Sequence, residues 1–146
     1  MLFRIILIGC IFLSSCEKPE NKEERKVEMK TYTEKEMLKE FNILLPKIVK
    51  DIKEKKNLIP LSDLSTHSGD FFSYETNFRG NIRDDLEVIE KNISYLDIIN
   101  VLTLGKRFVD EENGDGIQIT YRKHSIMFQF DEGEGKWKVS SILVEK

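Results

Sequence analysis

The carboxyl-terminal part of the chain alternates between apolar and polar residues, and this period of two constrains the fold more than any other feature. Three runs alternate in this way, at residues 117–122, 126–130 and 136–144. Successive side chains of a strand point to opposite faces of a sheet, so each run predicts a strand with one buried face. Asn113-Gly114 and a Gly133/Gly135 pair mark turns. The pattern predicts a three-stranded antiparallel meander, with residues 107–110 as a candidate fourth strand.

The part of the chain before this meander has a helical period. Thr33 and Glu36 have the spacing of a capping box, and apolar residues then recur every three or four positions through residues 37–52. This spacing predicts a helix whose apolar stripe packs on the core. Pro46 lies inside it and lacks the backbone N–H that a helix requires, which predicts a kink or two short helices that meet there.

Asn57 and Pro60 predict the end of this first helical region, because Asn tolerates a left-handed conformation and Pro interrupts helices. Residues 82–92 have the spacing of another helix, with Asn92 as its end. A third helix is predicted to begin at Ser94, whose side chain can cap it, and to end at Gly105. The β-branched residues of that last segment leave a strand as the alternative.

Residues 61–80 are the least regular part of the chain. Their polar half, residues 62–70, predicts a loop, whereas Phe71, Phe72 and Tyr74 predict a short strand or a flap on the core. Aromatic side chains beside a polar loop also make a candidate ligand pocket, with core packing as the alternative.

Helices followed by a meander predict an α+β fold, in which amino-terminal helices pack on one face of a three- to four-stranded antiparallel sheet. Residues 31–146 have the size of a single domain. The chain carries 26 acidic and 23 basic side chains. A mildly acidic domain argues against nucleic acid as a partner, because nucleic acid selects strongly basic surfaces.

The amino-terminal end carries the most specific motif. Residues 5–13 are an apolar run after Arg4. A helix of that length rises about 14 Å, too little to cross a hydrocarbon core of about 30 Å, so the run predicts a cleaved secretory signal. Leu13-Ser14-Ser15-Cys16 follows, and it resembles the lipobox of bacterial lipoproteins. The resemblance implies a signal peptide at residues 1–15 and acyl chains on Cys16. A plain signal peptide, with Cys16 incidental, is the alternative.

The resemblance also implies where the protein is held. Residues 16–30 comprise the lipidated cysteine and a stretch of alternating charges, which predicts a flexible tether, or alternatively a solvated extension of the first helix. Glu17 rather than aspartate follows Cys16, and this implies an outer-membrane lipoprotein that faces the periplasm. Cys10 leaves with the signal peptide, so the folded domain is expected to lack a disulfide.

Catalytic chemistry has little support in the sequence. The chain has two histidines, His67 and His124, and none of the common motifs for metal, phosphate or nucleophile chemistry. Asp63, His67 and Asp70 are close in sequence, but proximity along the chain is weak evidence for a site. We predict no catalytic residue, no metal site and no cofactor, and we expect His124 to be solvated in a turn.

Two turns of the predicted meander are rich in acidic residues. Alternate turns of a meander lie at the same end of the sheet, so these turns should gather seven carboxylates: Asp110, Glu111, Glu112, Asp115, Asp131, Glu132 and Glu134. We refer to them as the acidic patch. It predicts a surface that steers a basic protein partner, with a weak Ca²⁺ site or ordinary solvated turns as alternatives.

Together these features predict a lipid-anchored, non-enzymatic binding protein. One specific version is an immunity protein that binds a secreted antibacterial toxin, and another is an accessory of envelope assembly. The alternative function comes from the order of helices and strands, which is similar to NTF2-like and cystatin-like domains. That resemblance implies a small-ligand pocket or weak enzyme between helices and sheet. An apolar, filled inner sheet face would favour the interaction module, and polar groups there would favour the pocket.

Overall fold

The computed structural model describes residues 31–109 and 115–145. In chain order they form α1 (Glu34–Lys55), α2 (Ile59–Leu64), β1 (Ser65–Ser73), β2 (Phe78–Asn81), α3 (Leu86–Asn92), α4 (Tyr95–Leu104), β3 (Lys106–Val109), β4 (Gly116–Tyr121), β5 (His124–Asp131) and β6 (Lys136–Val144). The fold is α+β, as predicted. The predictions for residues 1–30, Cys16 among them, and for Asp110, Glu111 and Glu112 lie outside the described residues.

The strands form one mixed sheet in the order β2-β1-β6-β5-β4-β3. The predicted meander is present as β3 to β6, and residues 106–109 do form its fourth strand. The prediction of a three- to four-stranded antiparallel sheet is nevertheless wrong. Residues 65–73 and 78–81 form a hairpin that joins the sheet through a parallel pairing of β1 with β6. The polar residues that predicted a loop are divided between two elements, since residues 62–64 end α2 and residues 65–70 belong to β1.

Helix α1 begins with the predicted capping box. The Thr33 hydroxyl accepts a hydrogen bond from the Glu36 N–H at 3.3 Å, and the Glu36 carboxylate accepts one from the Thr33 N–H at 2.9 Å. Pro46 lies inside one continuous helix, so the alternative of two short helices is wrong. Pro46 and Asn42 are both exposed, and water can therefore satisfy the Asn42 carbonyl that loses its helical partner.

The other helix boundaries follow local signals with three corrections. The helix predicted over residues 82–92 begins at Leu86, so residues 82–85 are not part of α3. The left-handed residue after α1 is Lys56, with φ of 53°, rather than Asn57. Pro60 lies in the first turn of α2 instead of preventing a helix, because a proline there costs no hydrogen bond. Ser94 caps α4 by accepting from the Asp97 N–H at 3.1 Å, so that segment is a helix and not a strand.

The helices cover one face of the sheet, which we call the inner face. Trp137 of β6 is central to it, 2 % exposed, and its indole N–H donates to the Met37 carbonyl of α1 at 2.8 Å. Edge-to-face aromatic contacts surround the indole, with centroid distances of 5.1 Å to Phe41 and 5.4 Å to Phe130. Phe41 also contacts Phe128 at 5.1 Å. The inner face is therefore filled with packed apolar side chains.

Candidate functional site

The opposite face of the sheet, which we call the outer face, is the candidate functional site. Strand register sets out its side chains in two rows that cross all six strands. The first row is Phe108, Gln118, Met127, Ser141, Asp70 and Asn81, and the second is Lys106, Thr120, Ser125, Leu143, Phe72 and Arg79. The large buried side chains of the core belong to the other parity of each strand, so the outer face is open where the inner face is covered.

The middle of these two rows is uncharged, and the next row along the strands carries Lys138 opposite Gln129. Met127, Leu143 and Phe72 are the apolar members of the middle, and short polar side chains lie between them. Met127 is 42 % exposed and Phe108, at the β3 edge, is 47 % exposed. An uncharged centre with a charged rim is the composition of a protein interface.

Charged side chains stand at both ends of the rows. At the β2 edge the Arg79 guanidinium donates to the Asp70 carboxylate at 2.8 Å. At the β3 edge the Lys106 ammonium lies 4.8 Å from the centroid of the Phe108 ring. Because these groups lie at the periphery, a partner could bury the apolar centre while leaving the charges in contact with water.

Strand β3 ends the sheet on one side. All four of its residues are exposed, and β4 is its pairing partner. In an antiparallel pair alternate residues direct their N–H and C=O groups away from the partner, so β3 offers backbone hydrogen-bonding groups at this edge. A shallow groove between β3, β4 and β5 adjoins it, lined by Phe108, Val109, Gly116, Ile117, Gln118 and Met127.

The three aromatic residues proposed as a pocket are divided between the two faces. Phe71 is fully buried on the inner face, whereas Phe72 and Tyr74 lie on the outer face with ring centroids 4.5 Å apart. Because neighbouring residues of a strand point in opposite directions, Phe71 cannot line the same cavity as the other two. Phe72 and Tyr74 instead extend the apolar centre of the outer face toward the end of β1.

The described part of the acidic patch lies at one end of the sheet. The Asp115 carbonyl accepts from the Phe130 N–H at 2.7 Å, which brings Asp115 beside the strand end that carries Asp131. Glu134 forms an ion pair with Lys138 at 2.9 Å, which the sequence analysis missed and which reduces its contribution to the patch. Glu132 is exposed in the turn between β5 and β6.

The cluster of Asp63, His67 and Asp70 is not assembled as a site. Asp70 pairs with Arg79, and the His67 Nδ1 atom lies 3.3 Å from an Arg83 nitrogen. Within residues 31–109 and 115–145, no three His, Cys, Asp or Glu side chains are grouped so that they could hold a metal ion.

His124 does not lie in a solvated turn. It begins β5, is half-buried opposite Tyr121, and its buried Nδ1 atom has no hydrogen-bond partner in the described part of the chain. The prediction was wrong because the turn is shorter than the sequence indicated and ends at Lys123.

The sequence does contain a signal for the outer face. Met127 and Leu143 are large apolar residues at strand positions that the two-residue alternation assigns to solvent. Apolar residues at both parities are typical of a strand that is covered on both sides, and helices cover one side here.

Neither a protein-family model nor a curated protein sequence matches the chain. Of the helices formed by the described residues, none has the length and apolar character needed to cross a membrane.

Proposed function

We propose that this protein is a lipid-anchored binding protein of the bacterial envelope, which docks another protein on its outer sheet face and performs no catalysis of its own. The observation that carries the proposal is the open, uncharged centre of that face. Met127 and Phe108 are substantially exposed there and line one groove, and exposed apolar area is unfavourable in water. A partner that covers them removes apolar area at about 25 cal/mol per Å².

The proposed location rests on the lipobox-like residues 13–16. Acyl chains on Cys16 would anchor the protein in the outer membrane, with the domain in the periplasm, because two or more chains hold a protein stably in a bilayer. Residues 16–30 would act as a tether with a root-mean-square span of roughly 20 Å, the value for a flexible chain of that length. The domain would therefore meet its partner close to the membrane surface.

The proposed partner is a secreted antibacterial toxin, for which this protein would be the immunity protein, or a component of the envelope. In the described part of the acidic patch, Asp115 directly precedes β4, the strand that pairs with β3, and the patch would attract a partner with a basic surface. Charge complementarity of this kind accelerates encounter more than it strengthens the final complex. The apolar centre would then supply the affinity.

The filled inner face favours this proposal over a small-ligand pocket. A pocket between helices and sheet needs unfilled space and polar groups that orient a ligand. Trp137, Phe41 and Phe128 instead pack against one another across that space, and the indole N–H is satisfied by a backbone carbonyl.

A photo-crosslinking experiment tests the docking face. The full chain is produced in the cells that make it naturally, with a benzophenone amino acid at Met127 in one variant and at Lys53 in a matched control. Lys53 is an exposed residue of α1, on the helical side of the domain. We expect a discrete crosslinked protein from position 127 and none from position 53. Equal products from both positions, or none from position 127, would refute docking on the outer face.

The anchor is tested separately with Cys16→Ser. We expect the wild-type chain to sediment with membranes and to incorporate labelled palmitate, and the variant to do neither. A variant that keeps the label would show that Cys16 is not the attachment point, whatever the result of the crosslinking.

A further inference from the structure

Strand β1 departs from its parallel partner β6 over residues 66–69, which we call the arch. Ser65 pairs with Val139, and Asp70 pairs with Ser141, so the four residues of the arch stand opposite one residue of β6. Extra residues in one strand of a pair bend that strand and redirect its side chains, and such bulges are common next to functional sites.

The last residue of β2 and the residue after it hold the arch in one conformation. The Asn81 side-chain amide donates to the His67 carbonyl at 2.9 Å, and the Ile82 N–H donates to the Gly69 carbonyl at 2.9 Å. Asn81 is itself fixed, because its backbone N–H donates to the Asp85 carboxylate at 2.7 Å. The arch is therefore a structured element and presents His67 in a defined position.

Arg83 reaches beneath the arch and binds Ser65. Its Nε–H donates to the Ser65 hydroxyl at 3.1 Å, and its Nη2 group donates to the Ser65 carbonyl. Ser65 is fully buried, and its hydroxyl donates in turn to the Ser62 carbonyl at 2.8 Å. One edge of the planar guanidinium is thus locked by a buried residue, and the orientation of the whole group follows from it.

The third contact of Arg83 indicates which ring nitrogen of His67 accepts a hydrogen bond. The Arg83 Nη1 and His67 Nδ1 atoms are 3.3 Å apart. A guanidinium has only donors, so Nδ1 must accept this hydrogen bond, and the proton of the neutral imidazole lies on Nε2. Since His67 is exposed, its Nε2–H remains a donor for a ligand.

The positive charge of Arg83 has no partner of opposite sign. Within the described part of the chain its guanidinium forms no ion pair, and Asp70, the acidic residue that ends the arch, is paired with Arg79. A guanidinium has five N–H groups, and three of them make the bonds described above. One N–H on Nη1 and one on Nη2 are left over beside the imidazole. A half-buried charge without a counter-charge is unfavourable, and an anion would offset that cost.

We propose that Arg83 and His67 form a binding site for a carboxylate group. The guanidinium supplies one positive charge and planar N–H donors, which match the two oxygens of a carboxylate. His67 adds the donor of its Nε2 atom. Because Arg83 brings one positive charge to the site, a singly charged carboxylate balances it, whereas a phosphate dianion leaves an excess negative charge, so we expect the site to prefer the carboxylate.

The site is tested on the full chain, purified in a non-ionic detergent, by nitrogen-15 NMR of the arginine and histidine side chains. Sodium acetate is titrated at constant ionic strength by replacing chloride, and inorganic phosphate is the second probe. We expect saturable shifts of the Arg83 Nε–H and the His67 ring, with a dissociation constant on the order of millimolar, the range of about 4 kcal/mol of binding free energy.

Two variants separate the site from general charge effects. Arg83→Gln should weaken acetate binding at least about tenfold, which is about 1.4 kcal/mol. Arg79→Gln is the matched control, since Arg79 lies in β2, four residues before Arg83, but already has a carboxylate partner, and it should leave binding unchanged. If Arg83→Gln does not fold, the wild-type titration decides, because Arg83 must respond and Arg79 must not. Shifts that do not saturate, equal responses of both arginines, or tighter binding of phosphate would overturn the proposal.

Discussion

Replacement of Trp137 by Phe tests whether the inner face is a packed core or a ligand pocket. The change removes the indole N–H that donates to the Met37 carbonyl and reduces the ring that packs against Phe41 and Phe130. Core residues stabilise a fold, whereas residues that shape a pocket are often kept at a cost to stability. The free energy of unfolding of this variant therefore distinguishes the two interpretations.

The expected loss follows from the contacts of the indole. One intramolecular hydrogen bond contributes about 0.5–1.5 kcal/mol. The smaller ring leaves space among rigid neighbours, and large-to-small changes that delete a few buried carbons cost about 1–2 kcal/mol, less than the 3–5 kcal/mol of complete truncation. We expect Trp137→Phe to lower the free energy of unfolding by about 2–3 kcal/mol, out of the 5–15 kcal/mol typical of a domain.

Urea unfolding of the full chain measures this loss. Trp137 is the one tryptophan of the chain, so far-ultraviolet circular dichroism must replace fluorescence as the signal. With a denaturant slope of about 1–3 kcal/mol per molar, the midpoint should fall by about 1 M or more. Phe108→Leu is the matched control, since it also shrinks an aromatic side chain but at an exposed site, and it should change stability by no more than about 0.5 kcal/mol.

A neutral or stabilising effect of Trp137→Phe would refute the reasoning. It would mean that the indole does not contribute to a close-packed core, and the small-ligand alternative would then account better for the inner face. A loss of the expected size, with an unchanged Phe108→Leu variant, would place the binding surface of the domain elsewhere.

Three further predictions concern the helix cap, a turn and the acidic patch. Thr33→Ala should cost about 1 kcal/mol in urea unfolding, because it removes the hydroxyl that accepts from the Glu36 N–H, and an unchanged midpoint would contradict the role of the cap. Gly135→Ala should cost about 2–3 kcal/mol in the free energy of unfolding, because Gly135 has φ of +65° and an added Cβ would meet the Tyr32 ring. Gly133 has neither the positive φ nor the tyrosine contact, so Gly133→Ala should be nearly neutral. Charge reversal at Glu111 and Glu132 should slow association with the crosslinked partner and flatten its dependence on salt in stopped-flow measurements, while unchanged rates would exclude the acidic patch from steering.

The parts of the fold that the sequence predicted correctly are determined by neighbouring residues. Thr33 and Ser94 cap their helices through contacts three residues away, and the meander of β3 to β6 depends on two-residue alternation and short turns. Such signals lie within a few positions of one another, so periodicity and capping rules can detect them.

The parts that were missed depend on residues distant in the chain. β1 pairs with β6 although Phe71 and its partner Ile142 are far apart in sequence, and no local pattern encodes a parallel pairing. The arch also interrupts the two-residue alternation of β1, and its residues have the polar composition of a loop. Arg83 was overlooked for the same reason, because nothing in the sequence connects it with Ser65.

The position of β6 has a consequence for how the domain reaches its native state. This strand is the last of the described strands, yet it lies in the interior of the sheet, between β1 and β5. Until it pairs, no strand joins the β1–β2 hairpin to the β3–β5 ribbon. Contacts between distant segments slow folding. The earlier strands would thus wait with unpaired edges, and a chaperone that shields them would raise the yield of folded protein.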